Sequence, residues 1–93
     1  MIKSPRRKIV GRKEKLIERL KLQPRDFTWQ ELTTLLGTLE YAEAKQGKTG
    51  GSRRRFIHES KPPITLHKPH PSSIVKLYAV KEVLKFLEDE ELI

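Results

Sequence analysis

The sequence predicts an α+β fold: a three-stranded antiparallel sheet with helices on one face and an extra helix at the N-terminal end. Three observations lead there. Thr28 and Glu31 stand at the spacing of a capping box, just ahead of an apolar helical stripe. Two short stretches, from about Ser52 to His58 and from about Pro63 to His67, alternate with period two around Phe56, Ile64 and Leu66. Near the C-terminus, Val80, Val83, Leu84 and Leu87 recur at helical spacing.

In chain order, residues 1 to 11 lack periodicity and read as a flexible basic arm, with one domain expected over 12 to 93. A first helix is expected from about Arg12 to Leu22, with Leu16, Ile17 and Leu20 as its stripe and Pro24 ending it. The second helix opens at Thr28, with Phe27 and Leu32 placed to form a hydrophobic staple. Leu32, Leu35, Leu36 and Leu39 form its buried face, and Gly37 either weakens the helix or ends it. Trp29 suits a base-stacking platform, but its phase with Leu32 and Leu36 favours the core. A short first strand is expected between Glu40 and Gln46, then a turn at Gly47–Gly51. That turn is no phosphate loop, because it leads into a strand-like segment and not into a helix.

In the hairpin, Phe56 should face the core, so Arg53, Arg55 and Ile57 point the other way. With Phe56 paired opposite Leu66, Arg55 falls opposite His67 and Ile57 opposite Thr65. The exposed face then gathers arginines, a threonine and a histidine, with Ile57 out of place there unless it touches a partner. Pro69, His70 and Pro71 make a stiff loop. Ser72 or Ser73 is expected to open the last helix, with Tyr78 and Phe86 widening its core face.

At 93 residues the chain can bury only about two-thirds of its unfolded surface, so a ligand is expected on the outside. It has no cysteine, which excludes disulfides and thiolate metal sites. No apolar run approaches the roughly 20 residues of a membrane span, and the basic N-terminus lacks the apolar segment of a secretory signal. A cytoplasmic protein without membrane association is expected. The formal net charge is +8, and it is unevenly spread. Basic residues crowd the first 25 positions and the stretch from Lys45 to Lys68, whereas the C-terminal helix ends in Glu88-Asp89-Glu90-Glu91. Such polarity points to a polyanion, nucleic acid being the usual one, although a solvated basic face without a ligand produces the same pattern.

Gly50-Gly51-Ser52 running into a strand with Phe56, then Ile64-Thr65-Leu66-His67-Lys68-Pro69-His70-Pro71, then a helix opened by Lys76-Leu77-Tyr78, are similar to HicA. HicA is the toxin half of HicA–HicB toxin–antitoxin modules, and the resemblance covers roughly residues 13 to 93. It implies a fold like the double-stranded-RNA-binding domain, ribosome-independent cleavage of mRNA, and a HicB-like antitoxin that covers the exposed sheet face. Such domains read shape, phosphates and 2′-hydroxyls more than sequence. Family members commonly carry Gly-Ser-His at the start of the second strand, with the histidine taken as catalytic. Here the triplet is Gly51-Ser52-Arg53. Arginine cannot serve as a general base at neutral pH, though it can bind phosphate and steady developing charge.

RNA cleavage without a metal needs a base for the 2′-hydroxyl and a cation for the phosphorane. Histidine as a residue type suits the base role. His67 shares a face with Arg53 and Arg55 and is the first candidate; His70, between prolines, is the second. For both, a structural or RNA-contacting role is an equal alternative. His58 lies on the Phe56 side and reads as a strand-end histidine. Lys48, Ser52, Arg53, Arg54, Arg55, Lys68 and Lys76 are the candidate RNA-binding residues. A zinc pair of His67 and His70 would lack a third ligand, so neither metal nor other cofactor is expected. A degenerate, non-catalytic RNA-binding module remains the alternative. A DNA-binding protein is disfavoured, because no helix carries basic residues arranged for a major groove.

Overall fold

The computed structural model describes residues 11–45 and 51–93. The elements run α1 (Arg12–Lys21), α2 (Trp29–Thr38), β1 (Ala42–Glu43), β2 (Arg53–Ile57), β3 (Ile64–His67) and α3 (Leu77–Asp89). The strands form one antiparallel sheet in the order β1-β2-β3. This is the expected α+β architecture, consistent with a double-stranded-RNA-binding-domain-like fold with an added N-terminal helix. The basic arm up to residue 10, Lys48, and the expected strand end at Gln46 lie outside the described residues.

Helix α1 buries Leu16 and Leu20 and gives way to Gln23 in the left-handed region (φ 52), just before Pro24. Helix α2 starts as its capping box requires. The Glu31 backbone N–H donates to Thr28 Oγ1 (3.0 Å), and the Thr28 N–H donates to Glu31 Oε1 (2.9 Å). The same carboxylate receives Arg19 of α1, with Nε to Oε2 at 2.8 Å and Nη2 to Oε1 at 3.1 Å. Arg19 also donates to Asp26 and lies over the Phe27 ring, 5.5 Å from its centre. Glu31 therefore caps α2 and clamps α1 against it.

The Arg19 hydrogen bonds, aided by the Thr28 N–H, hold the Glu31 carboxyl below the usual glutamate range, against an opposing effect of burial. A depressed folded-state pKa adds stability that is present above the unfolded value, about 4.3, and is lost as pH falls through the folded value. Glu31→Gln keeps the capping geometry but removes the charge. It should be about 0.5–1 kcal/mol less stable than wild type at pH 7. In denaturant melts that gap should shrink towards pH 3.

The end of α2 is a Schellman arrangement on a non-glycine residue. Glu40 takes φ 72, its N–H donates to Gly37 O, and the Tyr41 N–H donates to Leu36 O at 2.9 Å. Gly37 therefore lies within the helix and does not end it. A Cβ there would meet nothing within 4 Å. Gly37→Ala should raise stability by about 0.5–1 kcal/mol, visible as a rise of a few degrees in the thermal midpoint.

The core lies between the helices and one face of the sheet. Trp29 of α2 meets Phe56 of β2 with ring centres 5.9 Å apart, which places Trp29 in the core and not on an RNA-facing surface. Phe27, Leu20, Leu32, Leu35, Leu36, Val80 and Leu87 are fully buried around this contact. Tyr41, absent from the expected core, is buried as well. Its hydroxyl donates to Pro62 O at 2.7 Å, and burial, then the charge of Glu90, pushes its phenol up, keeping it a neutral donor.

The hairpin register differs from expectation by two residues. Phe56 pairs with Ile64, Arg55 with Thr65, Arg54 with Leu66 and Arg53 with His67. The turn is tighter than expected because His58 Nδ1 accepts from the backbone N–H groups of Ser60 (3.0 Å) and Lys61 (3.1 Å). A two-residue slip preserves facing, so Phe56 and Leu66 remain buried while Arg53, Arg55, Thr65 and His67 are exposed.

Helix α3 begins at Leu77, not at Ser72 or Ser73. The preceding segment is extended, because it pairs with the chain leading into α2. The Trp29 N–H donates to Ser73 O and the Val75 N–H to Phe27 O, both at 2.7 Å, around a Thr28–Ile74 bridge. Val80, Val83, Leu84 and Leu87 are buried as expected, and Phe86 packs partly against them. Tyr78 does not widen that face: it is 59% exposed. Two residues before Val80, it lies roughly 200° around the helix from the core stripe.

Candidate functional site

The site forms where the end of β3, the loop after it and the first turns of α3 enclose a concavity of about 280 Å³. Period-two alternation turns His67 outward from β3, opposite Arg53 on β2. Its Nδ1 lies 3.3 Å from Ser52 Oγ. Hydrogen-bonding between these atoms fits either imidazole tautomer. With Nδ1–H donating to Ser52, Nε2 is left unprotonated, the form a general base requires.

His67, His70, Ser52, Lys68 and Lys76 all line this concavity. Five of the expected site residues, scattered over 25 positions of sequence, are thus brought to one place. A second hollow of about 300 Å³ adjoins it, walled by Gly51, Ser52, Arg54, Lys68, Pro69 and His70. Ser52, Lys68, Pro69 and His70 therefore stand between the two. Lys68 is held there by sheet pairing, with its N–H donating to Ser52 O at 2.8 Å.

The arginines divide by parity. Arg53 and Arg55 lie exposed on the open sheet face beside Ile57, which is 41% exposed. Arg54 points the other way and is half-buried. Its guanidinium pairs with Glu43 of β1 (3.3 Å) and donates to Gly51 O (2.6 Å) and Arg53 O (3.1 Å). It is engaged in holding the turn before β2, and its contact with the second hollow is secondary to that. His58 has the strand-end role expected of it, with its imidazole accepting two turn N–H groups and lying 4.9 Å from the Tyr41 ring.

Thr65, Tyr78 and Glu82 also line the first concavity and were not among the expected site residues. Tyr78 and Glu82 are one helical turn apart on α3, so they share a face. Helical phase alone was enough to place them away from Val80 and Leu84. Among the described residues, no group of three or more histidine, aspartate or glutamate side chains is arranged to hold a metal ion. No helix among them is long and apolar enough to cross a membrane.

Helices packed on one face of a small antiparallel sheet, with basic and imidazole groups on its open side, define a double-stranded-RNA-binding-domain-like α+β protein. Within that class, the family described as "HicA toxin of bacterial toxin-antitoxin" matches residues 29–88, and the chain belongs to that family. It is accordingly a toxin with an antitoxin partner. Neither the curated proteins nor the solved structures contain a match to the chain.

Proposed function

We propose that this toxin is an endoribonuclease that binds mRNA over residues 12 to 93 and cleaves it without a metal, and that a HicB-like antitoxin silences it. The observation that carries this reading is the gathering of His67, His70, Ser52, Lys68 and Lys76 around one concavity. In the reaction, His67 takes the proton of an RNA 2′-hydroxyl as that oxygen attacks the adjacent phosphorus. The bond from phosphorus to the 5′-oxygen breaks, and His70 gives that oxygen a proton. The products are a 2′,3′-cyclic phosphate and a 5′-hydroxyl. Lys68, Lys76 and Arg53 support the negative charge that builds on the phosphoryl oxygens. Arg55 extends the basic track across the sheet, and the acidic and apolar groups of the antitoxin would cover this track together with Ile57.

Arg53, in the place where the family commonly has histidine, favours a second reading: an RNA-binding module that has lost its chemistry. Incubation of the purified protein with mixed mRNA in EDTA separates the two. Discrete cuts ending in cyclic phosphate support the first, and cuts that persist in both His67→Ala and His70→Ala would show that the chemistry lies elsewhere. Salt-sensitive binding without any cut supports the second reading.

A further inference from the structure

We propose that the concavity between β3 and α3 holds an unpaired nucleobase, stacked on Tyr78 and selected as guanine by Glu82; this rests on the RNA-cleaving reading of the same site. Tyr78 is the most exposed aromatic side chain among the described residues, at 59%. It lines the same cavity as His67 and Ser52. Nothing in the folding of α3 calls for an aromatic ring at that position, since the core stripe runs along the opposite side of the helix. A ring presented to solvent beside basic groups is the usual platform for an unstacked base, and it tolerates any base because each has a π-face.

Glu82 supplies the selectivity. It lines the same cavity one turn beyond Tyr78. Among the described residues its side chain makes no ion pair or hydrogen bond, although the chain carries a net charge of +8. Its neighbour Lys85 is engaged with Asp89 at 2.9 Å. A carboxylate close to where a phosphate must bind weakens binding by repulsion, unless it accepts hydrogen bonds from the ligand. Among the four bases, guanine alone presents two adjacent donors, the ring N–H and the exocyclic amine, which match the two oxygens of a carboxylate. A volume of about 280 Å³ lies at the small end of ligand sites, suited to one nucleoside and too small for a paired base. The cleaved phosphate would then lie beside an unpaired guanosine, with the basic sheet face holding the flanking strand.

The test measures binding of uridine heptamers that carry guanosine, inosine, adenosine or cytidine at the centre. All sugars are 2′-fluoro, so that no cut can form, and wild type is compared with Tyr78→Ala, Tyr78→Phe and Glu82→Gln. Matched thermal melts confirm that these exposed substitutions leave the fold intact. Wild type should prefer guanosine to adenosine and cytidine by about tenfold, with inosine between, because it keeps one of the two donors. Tyr78→Ala should weaken every heptamer by roughly 10- to 100-fold, and Tyr78→Phe should bind as wild type does. Glu82→Gln should erase the guanosine preference while leaving affinity for the other heptamers equal or higher. Equal binding of all four heptamers by wild type, or unchanged binding by Tyr78→Ala, overturns the nucleobase site and leaves the RNA-cleaving reading standing. So does a Glu82→Gln protein that keeps its preference for guanosine, since the carboxylate would then not be what selects the base. Failure of wild type to bind any heptamer or natural mRNA would overturn both.

Discussion

Phe27→Ala should cost about 3–5 kcal/mol, a larger loss of stability than Glu31→Gln or any substitution on the exposed sheet face should bring. Phe27 heads the fully buried side chains by size and has no exposed surface. Three connections meet at this residue. Its ring belongs to the same buried core as Leu32, it lies beneath the Arg19 guanidinium, and its carbonyl accepts the Val75 N–H that positions the start of α3. The substitution removes the first two and leaves a cavity where α1, α2 and the 73–75 segment converge. A chain of this length has only about 5–14 kcal/mol of net stability, so the variant should stand near its unfolding threshold. Urea denaturation checks this: the midpoint should fall steeply with little change in slope. A loss below about 1 kcal/mol would mean that the neighbouring side chains collapse into the gap.

The second large effect concerns chemistry. On the proposed reaction, His67→Ala should slow RNA cleavage by about 100- to 10,000-fold, the usual contribution of a positioned general base. Affinity for RNA should change by no more than about threefold, because phosphate contacts from Lys68, Lys76 and the arginines remain. His67 is exposed and its side chain supports no buried neighbour, so stability should be unaffected. Single-turnover cleavage paired with equilibrium binding separates the two quantities. A parallel fall in affinity and rate would mean that His67 binds RNA and does not act as a base.

The elements that could be read from the sequence are those decided within a few residues. The capping box needs only Thr28 and Glu31 three positions apart, and it forms as expected. Strand parity comes from alternation, so the burial of Phe56 and Leu66 and the exposure of Arg53, Arg55 and His67 were also within reach. Register was not, because a slip of two leaves every side chain on its face and the sequence pattern unchanged. The deciding contact, an imidazole accepting two turn N–H groups, has no compositional signal. The start of α3 was hidden for a related reason. Ser72 and Ser73 look like caps, yet the backbone of this segment is drawn into pairing with residues some 45 positions earlier. The site shows the same division. Its histidines and lysines stood out by residue type, but the cavity that unites them depends on how α3 meets β3. Tyr78 and Glu82 entered the site only with that packing.

Helix α1 lies before the segment that matches the family, which begins at residue 29. Yet Leu16 and Leu20 complete the same core, and Arg19 supplies the charge opposite Glu31. Kinship and architectural self-sufficiency thus have different borders in this toxin. A chain shortened to the recognisable part would present to water the apolar seat that Leu20 now fills, and would leave the first turn of α2 with an unanswered negative charge.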